Sequence, residues 1–281
     1  MRQTRIVTDS ASEIDPQVAA DLGILVVPLQ LHVRGETVVD SAELRQPSFH
    51  EGLVRDKIVP QVVCPPMADF REVYARLIPE VDDIVSVHVS TLPCNTYRPA
   101  AEAASSLLGR ARIEVVDAAF MSAGLGAIVT KAARAARDGA DGTEVVRLVR
   151  GLVPHTYFAF YVDSLTVLRR SGALQQGDHP LPTSSSAKPL FVMEEGVIVQ
   201  QFRVRKKGSA LERLVDFVNE FLSFESVTIV HSGLMPEVHD LREALAGNER
   251  LEAVHEHIYG PAVAALLGPK ALGVVVVESG N

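Results

Sequence analysis

The chain has 281 residues, more than one hydrophobic core usually serves, so two domains or one large domain is expected. Its formal net charge is −8 with no long run of one sign, which argues against the basic face of a nucleic-acid binder. No stretch reaches the roughly 18 apolar residues of a membrane span, and the opening "MRQTRIVTDSASE" has no signal-peptide core, so no membrane span and a cytoplasmic address are expected.

In chain order, "TRIVTDSASEIDPQVAADLG" reads as strand, turn and helix, with Ser12 as the favoured cap and Gly23 as the stop. "ILVVPLQLHVRG" is the next strand, interrupted at Pro28 by an edge or a bulge. "SFHEGLVRDKI" is helical, and the prolines of "PQVVCPPM" keep that segment extended. "ADFREVYARLIPEV" places Phe70, Val73, Tyr74 and Leu77 on one helical face. Then "DIVSVHVS" and "RIEVVDAA" read as strands, each leading into an alanine-rich helix, and "GTEVVRLVRGLVP" adds another helix. Strands and helices alternating at this spacing imply a parallel sheet with helices on both faces.

The pattern changes near residue 155. "TYFAFYV" is a strand and "SLTVLRRSG" a short helix; "ALQQGDHPLPTSSSA" is turn-rich, and "KPLFVMEEGVIVQQFRVR" is a hairpin turning at Glu195–Gly196. Three further helices then alternate with the strands "VTIVHSG", "LEAVHEHIYG" and "ALGVVVVE". The expected architecture is α/β with two domains. Residues 1–155 form the parallel domain, and 156–281 form a smaller α/β domain with a mixed sheet.

Ligands of open α/β sheets bind beyond the carboxyl ends of the strands. Four turns fall in that neighbourhood: "TDSAS", "VVCPP", "STLPCNTY" and "DAAFMS". The helix start at Asn95–Thr96 offers unpaired N–H groups to an anion, or Asn95 or Thr96 simply caps the helix. The nine histidines are scattered; His255 and His257 share a strand face without a third ligand, so a solvated face is favoured over zinc and no metal is expected. "GLG" at 124–126 lies inside a helix and is no Rossmann fingerprint. Two cysteines are too few for a disulfide framework, and Cys94 at a helix start lacks an evident partner base, since His88 merely precedes it on the strand.

These motifs, in this order, resemble the DegV family of bacterial fatty-acid-binding proteins along the whole chain. "VTDSAS" resembles its opening TDS motif, and "VVPLQLHVRGETVVDSAEL" is similar to its VPL…G…Y-x-D segment, with Asp40 in the Asp place. "CPPMADF" resembles S-Q-P-S-x-x-x-F, with Pro65 and Phe70 in step. "VSTLPCNTYRPA" resembles I-S-S-x-L-S-G-T-Y-Q-S-A, keeping Ser90, Thr96, Tyr97 and Ala100. "VVDAAFMSAGLG", "DSLTVLRRSGAL" and "GPKALGV" complete the co-linear set.

The resemblance implies a carrier that catalyses nothing and needs no cofactor. One long acyl chain, such as that of palmitate, lies in an apolar tunnel between two domains, and its carboxylate is held by two loops. In some bacteria a separate fatty acid kinase acts on the held carboxylate. The head-group loops map here to Val62 and Cys64, and to Ser90, Thr91, Cys94, Asn95 and Thr96. This chain departs from the pattern there: Val62 replaces a Thr, Cys94 a Ser, Asn95 a Gly, Ala173 an Arg and Leu266 a His. The remaining donors expected are the backbone N–H groups of 95–97 with Ser90, Thr91 and Thr96. Cys64 and Cys94 are read as two small buried residues facing one pocket, or as a redox-sensitive pair. The competing functional readings are a degenerate scaffold that binds a protein partner or a neutral lipid, and an enzyme using Cys94. The basic cluster Arg203, Arg205, Lys206 and Lys207 is read as a solvated hairpin end or a contact for an acidic partner.

Overall fold

The computed structural model describes residues 3–89, 94–174, 189–194, 196–201 and 210–279. Strand β1 (Thr4–Asp9) is the buried run expected of a parallel strand. After a single 3-10 turn, helix α1 (Pro16–Leu22) is capped by Asp15, whose carboxylate accepts from the Gln17 N–H at 2.8 Å, and not by Ser12. Ser12 instead donates its hydroxyl to the Asp9 carbonyl at 2.7 Å. Both sites satisfy orphan backbone groups, but Asp15 directly precedes Pro16, which sets the first helical residue. Gly23 closes α1 in the left-handed region, as expected.

The run interrupted by Pro28 is not one bulged strand. It divides into β2 (Leu25–Val27) and β3 (Gln30–Val33), which belong to different sheets. A strand that the sequence did not reveal, β4 (Glu36–Val39), returns along β3 through Arg34–Gly35. Both turn residues have positive φ, the geometry of a two-residue type I′ hairpin. Then come α2 (Pro47–Asp56), β5 (Gln61–Val63), α3 (Met67–Leu77), β6 (Asp83–His88), α4 (Tyr97–Ser105), β7 (Arg112–Asp117), α5 (Ser122–Arg137) and α6 (Gly142–Leu152). The second half carries β8 (Thr156–Val162), α7 (Leu165–Arg170), β9 (Phe191–Glu194), β10 (Val197–Gln200) and α8 (Ala210–Asn219). It ends with β11 (Ser226–His231), α9 (Val238–Ala246), β12 (Val254–Ile258), α10 (Pro261–Leu267) and β13 (Ala271–Val277). Glu195, the stretch 175–188 and the basic cluster of 203–207 lie outside the described residues.

The first sheet is four-stranded and parallel, in the order β2-β1-β6-β7. Helices α3 and α4 pack on one face and α5 and α6 on the other. Along β1 the faces alternate, with Ile6 toward the α5 side and Val7 toward Phe70 and Tyr74 of α3. The second sheet is six-stranded and mixed, in the order β10-β9-β8-β13-β11-β12, with β11 and β12 parallel and the other pairs antiparallel. A small antiparallel sheet, β4-β3-β5, stands apart.

Alternation in the mixed sheet sorts its side chains cleanly. Phe158, Phe160, Val162 and Val275 face the first half of the chain, while Ala159, Tyr161, Val274 and Val276 face α8 and α9. The inward set joins Ile6, Val85, Phe120 and Leu125 in one apolar cluster. Helix α5 lies inside it, packed on β1 of one sheet and on β8 and β13 of the other. Gly126 is required there: a Cβ would stand 2.7 Å from the Ser12 carbonyl oxygen. The GLG pair therefore serves packing inside a helix. Among the described residues no helix is long and apolar enough to cross a membrane.

Candidate functional site

The strand order turns between β1 and β6: β1 continues to β2 on one side and β6 to β7 on the other. The crevice beyond their carboxyl ends is where ligands of such sheets bind. Asp9 ends β1 and His88 ends β6, and the two side chains meet across this gap, His88 Nδ1 lying 2.7 Å from Asp9 Oδ2. The same oxygen accepts from the Thr96 hydroxyl at 2.7 Å, and Asp9 Oδ1 accepts from the Ala11 N–H at 3.0 Å. Behind His88, Nε2 is 2.6 Å from Ser86 Oγ, and the Tyr74 hydroxyl donates to Ser86 at 2.8 Å. With Tyr74 as donor, Ser86 is left to donate to Nε2 and Nδ1–H to donate to Asp9. Burial pushes the Tyr74 phenol above its ordinary range, which keeps it a donor.

Ser86, His88 and Asp9 thus stand in the order of a hydrolase triad, but all three are fully buried, and Phe70 packs edge-on against the His88 ring. The geometry fits a brace, because Ser86 is fully buried and its hydroxyl is taken up between Tyr74 and His88. What it braces is the turn before α4. Thr96 is tied to Asp9, and the Tyr97 N–H donates to the Val89 carbonyl at 3.2 Å.

The residues expected at the head-group turn separate into two groups. Cys94, Leu266 and Ala173 are buried in the main apolar cluster, and Val62 packs against it. Helix α10, which carries Leu266, lies against β5, which carries Val62. Asn95 is exposed and lines an open outer groove with Tyr97, Arg98, Ala101, Glu102 and Ser105. Its side-chain oxygen accepts from the Arg98 N–H at 3.0 Å, which caps α4. The expected donors are largely committed internally. The Thr96 hydroxyl serves Asp9, the Thr96 N–H donates to the Cys94 carbonyl at 3.1 Å, and the Tyr97 N–H serves Val89. Ser90 and Thr91 lie outside the described residues.

The cysteines are joined. Cys64, after β5, and Cys94, before α4, form a disulfide with Cα atoms 5.6 Å apart. Cys94 is 3% exposed, whereas Cys64 is exposed, so they are not two small residues tolerated inside a core.

A second polar cluster lies where the two halves meet, and no local motif marks it. Glu13 has left-handed backbone (φ 51°) and is buried, with Oε2 accepting from His257 Nε2 at 2.8 Å and from the Ser122 hydroxyl, and Oε1 accepting from the Gly260 N–H. Burial alone would raise this carboxyl; the hydrogen bonds and charges of His257, Arg45 and Ser122 override it and hold the carboxyl below its usual range. His50 Nε2 donates to the Tyr259 carbonyl at 2.8 Å, adding a bond between the halves. Nearby, Asp40 accepts from the Ser10 hydroxyl at 2.7 Å, and Ser10 in turn accepts from the Leu29 N–H. His257 therefore serves Glu13, where a solvated strand face was expected. Among the described residues, no three His, Cys, Asp or Glu side chains converge as a metal would need.

Comparison with known proteins bears on the fold as a whole. A curated DegV domain-containing protein from Deinococcus radiodurans is 30% identical over 276 residues, covering 96% of this chain and 97% of that protein. A solved fatty-acid-binding DegV family protein from Thermus thermophilus is 26% identical, with a TM-score of 0.87 over 99% of this chain and all of that one. Bacillus subtilis DegV, a fatty acid binding protein at 24% identity, superposes with a TM-score of 0.85 over 99% of this chain and 100% of its own. The family model described as "uncharacterised protein, DegV family" matches residues 3–279, in line with the order of motifs and the paired sheets: the chain belongs to the DegV family.

Proposed function

We propose that this protein is a non-enzymatic cytoplasmic carrier that holds one long-chain fatty acid, with palmitate as the representative ligand, between its two sheets. Residues 1–155 carry the head-group loops and 156–281 close over the acyl chain. A separate fatty acid kinase is the candidate partner. The observation that carries this reading is the apolar cluster shared by the two sheets, to which Cys94, Ala173 and Leu266 all belong. The Thermus thermophilus relative with the same fold binds fatty acid. A tail of ~14 methylenes gains about 0.8 kcal/mol per methylene buried, so affinity comes mainly from the tail. The head group then sets orientation.

The head-group end favours a second, narrower reading. Disulfide-bonded Cys94 donates nothing, and Thr96 and two backbone N–H groups are already bonded within the protein. A carboxylate left without donors is costly to bury. A neutral head group, such as an ester or alcohol, loses less at the same place. Native mass spectrometry of the purified protein, followed by denaturation and identification of the released molecule, separates the readings. A released C16–C18 free acid (~14 or more methylenes) supports the carrier as stated, and a released ester or alcohol supports the neutral-head form. A protein that is free of lipid and stays so after incubation with palmitate overturns both and leaves a scaffold for a protein partner.

A further inference from the structure

We propose that the Cys64–Cys94 disulfide is a reversible thiol–disulfide switch that ties the β5–α3 connection to residues 94–97 at the start of α4, and that its reduction loosens both segments and speeds exchange of the bound lipid. The second half of this statement rests on the carrier reading; the first does not.

Three observations support a switch over a structural staple. The first is redundancy. Each end of the bond is already held by other means: Val62 pairs with Leu31 on β3, Thr96 is anchored to Asp9, and Tyr97 is bonded to Val89. Opening the bond therefore leaves the sheets standing, with the two short segments held by these non-covalent bonds alone and free to open more often. The second is asymmetry. Cys64 is exposed, whereas Cys94 is 3% exposed and belongs to the shared apolar cluster. A thiolate from solvent therefore approaches the bond from the Cys64 side, and exposed disulfides are the labile, regulatory kind. The third is position. These are the chain's two cysteines, and they join the small sheet to the crevice end of the parallel sheet, with Cys94 in the shared apolar cluster.

The exchange balances with a dithiol as reductant. Its thiolate attacks Cys64 Sγ, forming a mixed disulfide and breaking the Cys64–Cys94 bond. Cys94 Sγ leaves with the electron pair and takes the proton of the reductant's second thiol, because a thiolate is costly in apolar surroundings. The newly formed second thiolate then closes on its own mixed disulfide and expels Cys64 as a thiolate, which takes a proton from solvent. The protein gains two electrons and two protons, and the dithiol becomes a cyclic disulfide. A monothiol stalls at the mixed disulfide, since the released Cys94 remains beside it and recloses. In a reducing compartment the bond is open at rest and forms on oxidation.

The test uses the full chain, air-oxidised or reduced with dithiothreitol, and reads two properties. Hydrogen–deuterium exchange reports on residues 61–66 and 94–97, and displacement of a fluorescent C16 fatty acid reports on lipid exchange. The expected result is uptake about tenfold faster in both segments on reduction, with unchanged uptake in β1 and β6, and fluorophore release about tenfold faster. Cys64→Ser should match the reduced protein whether or not oxidant is present. Equal uptake in the two redox forms, or a Cys64→Ser protein that behaves like the oxidised wild type, overturns the tie. Faster uptake with unchanged release overturns the control of lipid exchange. If the fluorescent acid binds neither form, the carrier reading falls, and the deuterium exchange still decides the tie.

Discussion

Asp40 shows how one buried carboxyl can hold a crossing between two sheets. It accepts from Ser10, and Ser10 accepts from Leu29, so it fixes the segment that crosses from β2 to β3. Burial pushes its pKa up to about 7, with Glu13 and Asp9 adding to the rise against the pull of Ser10 and Arg45. The folded carboxyl thus holds its proton more tightly than the unfolded one. Its contribution is whole below about pH 4 and is lost as pH rises through about 7. Asp40→Asn cannot ionise. Relative to wild type, its stability in urea should improve steadily from pH 4 to 7 and then level off, by at most ~4 kcal/mol. A difference that stays flat over this range would show that Asp40 does not titrate there. Glu13 gives the opposite sign. Its lowered carboxyl stabilises above the ordinary carboxylate range and loses that contribution only in acid. Glu13→Ala strands the Gly260 N–H and His257 at the meeting of the halves, and should cost about 3 kcal/mol at pH 7 by denaturant titration. The motif order made Asp40 legible in the sequence. Glu13 was not, because its partner His257 lies 244 residues away and nothing local ties them.

At the scale of elements, most strands and helices follow from short-range physics, and the departures have local causes. Pro28 was visible as an interruption, but an interruption does not reveal that the two pieces enter different sheets. Strand β4 went unseen because its turn is Arg34–Gly35 and not an Asn-Gly pair, and because its four residues are mostly exposed. Ser12 and Asp15 both fit a cap by residue type, and the choice between them is made by the 3-10 turn that Ser12 closes. Helix α5 carries the sharpest steric constraint. Gly126→Ala drives a methyl against the Ser12 carbonyl in the turn that leads to Glu13, and neither backbone has room to yield freely. The cost should be about 1–3 kcal/mol by thermal or chemical unfolding, the size typical of overpacking. Gly151→Ala is the control: a Cβ there meets nothing within 4 Å, so it should be neutral or stabilising by up to about 1 kcal/mol.

At the scale of the molecule, the alternation of strands and helices announced the parallel sheet, and the change near residue 155 announced a second one. The strand order of that second sheet was beyond reach, because β13 inserts between β8 and β11 from the far end of the chain, a pairing no local pattern encodes. The same non-local packing bears on stability. The largest apolar cluster draws on β1, α5 and α6 as well as β8, β13 and α10, and Glu13 and His50 bond across the same meeting. Two halves that share a core in this way should melt as one unit, with a single calorimetric transition whose van't Hoff and calorimetric enthalpies agree. A ligand that binds between them stabilises both together. Palmitate at about 100 times its dissociation constant should add about 2.7 kcal/mol, moving the whole transition up by several degrees without splitting it. A split in which only one component moves would place the acyl chain inside one half. A single transition indifferent to palmitate would mean that the shared cluster is already filled by its own side chains.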